Sequence, residues 1–238
     1  MRIQTAAILI AATAFAMPAS AVAADFPDIP EPMVFDMIRP LSAKRGELEV
    51  NALATTPLSG QPRVVEWAPE IEYAVADGFA LEFELPFENA RLTELKLGVQ
   101  KTFGTMDNGR IAHGVQYLGI YDRHDDSASH AVLYMLGRRH SEKLSTMSMV
   151  GVGDVRVGQP ESTAGLLVNH STFYHLADDR IAGLELNYKS GRDGGVLAMP
   201  QYHGALARKV AFQAGAGLDK QRGARARPVA GLRVIREF

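Results

Sequence analysis

The residues with the most chemistry to offer are carboxylates at two-residue spacing: Glu47 and Glu49, Glu70 and Glu72, Glu82 and Glu84, with Glu66 and Glu94 close by. A spacing of two puts both members of a pair on one face of a β-strand. A basic set follows near the C-terminus, comprising Arg208, Lys209, Arg222, Arg225, Arg227, Arg233 and Arg236. Other combinations are weaker. Met147, Met149 and the run Met199-Pro200-Gln201-Tyr202-His203 bring the soft ligands that suit copper, but nothing clusters at ligand spacing and Met is usually a gap-filler, so no metal is expected. In Asn169-His170-Ser171 a nucleophile and a base are adjacent, yet neighbours on a strand face opposite ways, so His170 does not serve Ser171. Asp122-Arg123-His124 puts an acid and a His on one face without a second acidic pair. Gly151-Val152-Gly153 lacks the strand-to-helix context of a nucleotide loop. These residues predict no enzyme and no cofactor.

The elements that must position the carboxylates read with period two. Ile71 and Tyr73 alternate with Glu70 and Glu72, Leu81, Phe83 and Leu85 with Glu82 and Glu84, and Leu95, Leu97 and Val99 with Glu94, Lys96 and Gln100. Leu184, Leu186 and Tyr188 oppose Glu185, Asn187 and Lys189, and Phe212 opposes Gln213. Each strand therefore has one oily and one wet face. The pattern predicts strands over 46–56, 63–74, 79–87, 93–103, 111–122, 129–139, 144–154, 163–175, 181–190, 196–203, 209–218 and 227–238. These are about twelve segments close to the roughly 9–11 residues of a membrane-spanning strand. Weak alternation around Val132–Leu136 and Met147–Val152 leaves a count of ten open. Tight connections (Ala76-Asp77-Gly78, His140 to Lys143, Ala177-Asp178-Asp179, Ala205 to Ala207) alternate with longer polar ones (57–62, 123–128, 156–162, 189–195, 219–227), as in outer-membrane barrels.

The N-terminus carries an address. Arg2, an apolar run to Met17 and the small-residue site Ala21-Val22-Ala23 form a secretory signal peptide over 1–23. Residues 24–45, with Pro27, Pro30, Pro32 and Pro40, make a poor central strand and are placed as a Pro-rich periplasmic segment before a barrel over 46–238. Strap, short helix and disorder all remain open for them. The absence of Cys excludes a disulfide scaffold, and a net charge of −2 gives no support to nucleic-acid binding. No later stretch is long and apolar enough for a membrane helix.

The closing run Ala230-Gly231-Leu232-Arg233-Val234-Ile235-Arg236-Glu237-Phe238 resembles the C-terminal signature of bacterial outer-membrane β-barrel proteins, departing from it at Arg236. The resemblance implies insertion by the barrel-assembly machinery through Phe238. The stretch from Pro69-Glu70-Ile71-Glu72-Tyr73 through Glu82-Phe83-Glu84-Leu85-Pro86-Phe87 also resembles uncharacterised barrels similar to the MetA-pathway-of-phenol-degradation transporter-like family. That likeness implies architecture and location, with no catalytic residues and no phenol substrate.

The expected fold is thus all-β, a closed antiparallel up-and-down transmembrane barrel in contact with outer-membrane lipid and lipopolysaccharide. Its wet face would line a lumen with Glu49, Glu66, Glu70, Glu72, Glu82, Glu84, Glu94, Lys96, Gln100, Glu185, Asn187, Lys189, Gln213 and Arg233. Closure makes first and last strands neighbours, so the acidic wall would stand beside a partly basic one. The expected function is a channel or transporter-like pore for small solutes. The alternatives are a soluble periplasmic barrel binding an apolar ligand inside, and an outer-membrane hydrolase. A passable lumen and one filled by an internal salt-bridge network are both compatible with the sequence.

Overall fold

The structure, a computed structural model, describes residues 26–61, 63–157, 164–191 and 194–238. The signal peptide expected over 1–23 lies outside the described residues.

Twelve antiparallel strands close into a barrel. They are β1 (Leu48–Pro57), β2 (Glu66–Ala76), β3 (Phe79–Glu84, resuming at Phe87–Glu88) and β4 (Arg91–Leu92, continuing as Glu94–Met106). Then follow β5 (Ile111–Asp122), β6 (Ser127–Arg139), β7 (Leu144–Val155), β8 (Gly165–Ala177), β9 (Arg180–Lys189), β10 (Gly195–Ala207), β11 (Val210–Gln221) and β12 (Arg227–Glu237). Each strand pairs with its chain neighbours, and β1 also pairs with β12, in register from Glu49↔Glu237 to Pro57↔Val229. Among the described residues no sheet edge is left open, which is how strands satisfy every backbone group in lipid. The break in β3 falls at Leu85-Pro86, where Pro has no N–H to give the ladder. Because β6 and β7 are both full strands, the count of ten is set aside.

One mouth carries the short turns 77–78, 107–110, 140–143, 178–179 and 208–209, together with the C-terminus; the other carries 58–65, 123–126, 156–164, 190–194 and 222–226. Two connections at the long-loop mouth are themselves short, 89–90 with two residues and 123–126 with four. Register shifts at Ala74/Ala76, Thr102/Gly104, His175/Ala177 and Ala205/Ala207 lie near the short-turn mouth and one at His130/Val132 lies toward the long-loop mouth, rim positions where bulges favour a tighter local twist.

The oily stripe is the exterior. Ile71, Leu81, Phe83, Leu97, Val132, Val150, Leu184, Leu186, Leu232 and Val234 all point outward and are exposed. Toward the short-turn mouth they are flanked by Tyr73, Phe103, Tyr174 and Tyr202, and toward the long-loop mouth by Tyr121 and Tyr188. Near the latter, Trp67 stacks on Phe87 at 4.5 Å and donates its indole N–H to the Asn89 carbonyl. Aromatic girdles around an apolar band are how a barrel sits in a bilayer. Arg236 points outward near the membrane edge with its guanidinium 5.5 Å from the Phe238 ring. A soluble barrel with an oily interior is excluded by these orientations.

Twelve strands about 4.8 Å apart and tilted about 40° give a wall radius of roughly 12 Å, more than their side chains fill. The sequence places the Pro-rich segment on the periplasmic side of the barrel; in the structure residues 26–45 are drawn into the lumen as a loop with neither helix nor strand. Both ends of the loop lie at the short-turn mouth. Arg45 N–H donates to Asp77 at 2.9 Å and Gly46 N–H to the Ala74 carbonyl, while at the other end Arg139 donates to the Asp28 carbonyl. Ile29, Met33, Met37, Ile38 and Leu41 are at most 1% exposed, and each such burial contributes about 1.5–3 kcal/mol. Ile29, Met37 and Leu41 pack on Leu133, Met135, Met147, Met149 and Phe173 of the inner wall, and Ile38 on Ala80, Leu118 and Ala131. The wall makes room for them with glycine. A Cβ on Gly98 would stand 2.5 Å from Ile38 Cδ1, and one on Gly137 would stand 2.7 Å from Ile29 Cδ1.

Candidate functional site

The inner face of β1–β4 is a grid of carboxylates. Glu49, Glu72 and Glu82 are direct cross-strand partners in one row, and Asn51, Glu70, Glu84 and Lys96 form the next. Like charges directly opposite on paired strands repel, so this wall needs counter-charge from elsewhere. Two arginines supply it, one from the inserted segment and one from the last strand.

Arg39, 4% exposed, reaches Glu47 at 3.1 Å and Glu72 at 3.7 Å and pairs directly with Glu49. Arg233, equally buried, pairs with Glu70, lies 3.4 Å from Glu72 and from Glu31, and donates through Nε to Asn51 at 2.9 Å. Asn51 donates in turn to Glu49 and Glu72. One row toward the long-loop mouth, Lys96 bridges Asp36 of the segment at 3.3 Å and Glu84 at 3.0 Å. Among the described residues this cluster sets eight carboxylates (Glu31, Asp36, Glu47, Glu49, Glu70, Glu72, Glu82, Glu84) against Arg39, Lys96 and Arg233. Glu82 is left over: it is 3% exposed, and both its carboxylate oxygens are buried without a hydrogen-bond partner. On the segment itself, burial and then the Glu49 charge push Glu31 up to about 8, against the pull of Arg233.

A second grip holds the apex of the inserted loop. The Glu185 carboxylate accepts the backbone N–H groups of Met33 at 2.8 Å, Val34 at 3.0 Å and Phe35 at 2.7 Å, and is steadied by Asn187 at 2.7 Å. Gln116 and Gln100 each bond the segment's backbone twice. Their carbonyl oxygens accept Ile38 and Arg39 N–H, and their amides donate to the Asp36 and Arg39 carbonyls. Backbone groups that have no ladder to join are satisfied by wall side chains instead.

Of the fourteen lumen candidates, Glu49, Glu72, Glu82, Glu84, Gln100, Glu185, Gln213 and Arg233 are buried on the inner face. Glu70, Asn187, Lys96 and Glu94 are half-buried there, Lys189 pairs with Asp154 at 2.7 Å near the long-loop mouth, and Glu66 is exposed at that mouth. Above the apex of the loop, beside Val34, a cavity of about 360 Å³ opens toward the long loops, lined among others by Glu66, Glu84, Glu88, Glu94 and Lys96. Arg233 alone of the seven C-terminal bases is buried; Arg208, Lys209, Arg222, Arg225 and Arg236 are exposed, and Arg227 pairs with Asp219 at 3.2 Å.

The other candidate combinations come apart. Asn169 and Ser171 face inward and bond each other, while His170 faces outward onto Ser148 at 2.8 Å. Asp122 accepts the backbone N–H groups of His124 and Asp125, which makes it a turn residue. Met147 and Met149 are inner-wall packing for the inserted loop. Sequence reasoning missed Glu31, Asp36 and Arg39. Their one signal was charge inside an otherwise apolar, Pro-rich stretch.

No protein-family profile and no curated protein matches this sequence. Solved structures do. The COG4313 outer membrane channel from Pseudomonas putida F1 superposes with a TM-score of 0.66 at 12% identity, over 88% of this chain and 100% of that one. The NanC porin gives 0.64 at 9% identity over 80% and 100%, and the KdgM porin 0.59 at 12% over 78% and 97%. At such identities the likeness is one of fold, a porin-type outer-membrane β-barrel.

Proposed function

We propose that the protein is an outer-membrane channel for small solutes, non-enzymatic, whose lumen is stoppered by its own residues 26–45. One observation carries the reading: the barrel's centre is closed by a tethered loop rather than by strand side chains, so the occluding element is separable from the wall. The fold shared with porins supports it, as does the resemblance of residues 69–87 to the MetA-pathway transporter-like family. Under this reading the cavity beside Val34, where Glu66, Glu84, Glu88 and Glu94 outnumber Lys96, favours cations, because a cleft with an excess of one sign of charge concentrates the opposite one. The basic loop at Arg222, Arg225 and Arg227 meets lipopolysaccharide phosphates, and Phe238 is read by the barrel-insertion machinery.

The test is conductance in planar bilayers, comparing the full mature chain with one lacking residues 26–45. The shortened barrel is expected to conduct continuously and to show a cation-selective reversal potential under a salt gradient. Silence from shortened protein that is folded by its heat-modifiable gel mobility would reduce the molecule to a structural barrel.

A further inference from the structure

We infer that Glu82, together with Asp36 and Glu84, holds a divalent cation of the calcium class where the inserted segment meets the wall. Carboxylate oxygens of these three residues lie within 4.8 Å of one another, and those of Glu70, Glu72 and Glu82 form a second such group that shares Glu82. The acidic grouping alone would mean little. What points to a ligand is Glu82 itself: 3% exposed, aimed into both groups, and with both oxygens lacking any hydrogen-bond partner. An ionised carboxylate buried without a partner is strongly disfavoured. Every other acid in the cluster already has a cation: Lys96 serves Asp36 and Glu84, Arg233 serves Glu31, Glu70 and Glu72, and Arg39 serves Glu47, Glu49 and Glu72.

The donor set selects the ion. Oxygen ligands with no imidazole or sulfur suit hard cations. Calcium tolerates irregular arrangements of six to eight oxygens at about 2.3–2.6 Å and accepts water for those the protein does not supply. Asp36 comes from the inserted loop and Glu82 and Glu84 from β3, so the ion would cross-link the two. This inference does not depend on the channel reading, since a barrel that never conducts could bind calcium equally well.

The test is calorimetric titration of calcium chloride into the full-length chain, refolded in lipopolysaccharide-free non-ionic detergent and freed of chelator. One saturable site is expected, with a Kd on the order of 10⁻⁴–10⁻³ M as in extracellular calcium modules. Glu82→Gln and Asp36→Asn should each weaken it by about tenfold or more, while Glu142→Gln at the opposite mouth leaves it unchanged. Should the buried variants fail to fold, terbium(III) luminescence lifetimes on the wild-type chain decide the matter, since a caged ion keeps fewer waters than the free one. Absence of saturable heat at millimolar calcium, undiminished binding by Glu82→Gln, or a protonated-carboxyl infrared band for Glu82 that persists in excess calcium would each overturn the assignment.

Discussion

Replacing Arg39 with Met keeps most of the side-chain volume and removes the charge that ties the inserted segment to the acidic wall. Removing one partner of a buried ion pair costs about 3–5 kcal/mol. The lower end applies here, because Glu72 retains Arg233 at 3.4 Å and Asn51 at 2.9 Å, Glu47 has a side chain 42% exposed and is solvated, and of the buried partners Glu49 alone falls back on Asn51. A loss of about 3 kcal/mol raises the undocked population of the segment roughly hundredfold. The chain has no cysteine, so a single Met37→Cys, at a position 1% exposed, reports undocking through its maleimide labelling rate. Labelling should accelerate about hundredfold in the Arg39→Met background when opening is fast relative to reaction. Because the pair is buried, the difference should persist in high salt. Equal labelling rates in the two backgrounds would refute the claim that this ion cluster holds the segment.

Three further outcomes follow from the same geometry. Glu185→Ala removes the acceptor of three backbone N–H groups, each costing about 1–3 kcal/mol when left unsatisfied; the same labelling assay should show a loosening at least as large as that of Arg39→Met. Leu184→Arg, in the middle of the outer apolar band, should destabilise the barrel by about 2–4 kcal/mol, read as a lower urea midpoint with unchanged slope in lipid vesicles. Glu31, held up at about 8 against an ordinary 4.5, binds its proton more tightly when docked. Its contribution is therefore fully present below pH 4.5 and is lost as pH rises toward 8. Once corrected for the thiol's own ionisation, labelling of the Met37→Cys variant should speed up over that interval, and Glu31→Gln should flatten the profile.

Much of the barrel is legible in the residues themselves. Strict alternation at Leu81–Leu85 and Leu184–Tyr188 follows from a wall with lipid on one side and polar groups on the other, and it gives those strands and their faces. The count from pattern alone is about twelve, with ten left open. The stretches that alternate weakly have a physical reason. Val132, Tyr134, Val150 and Val152 face lipid, while Leu133, Met135, Met147 and Met149 face the apolar side of the inserted loop, so both faces are oily and period two disappears. Residues 26–45 carry no period because they join no ladder, and their partners lie on strands far along the chain. The carboxylate rows could be assigned to a face from spacing alone. The arginine that pairs with Glu47, Glu49 and Glu72, Arg39, sits in the segment that pattern reading could not place.

Arg233 has a bearing on how the molecule is assembled. It stands on the final strand yet binds Glu31, Asn51, Glu70 and Glu72, at separations in the chain of up to 202 residues. Glu31, near the start of the inserted loop, thus finds its charge partner on β12, the strand that closes the barrel against β1. Arg233 therefore couples sealing of the seam to seating of the N-terminal loop through contacts of very high sequence separation, which form slowly, and until the last strand is in place Glu31 and Glu70 lack their cation.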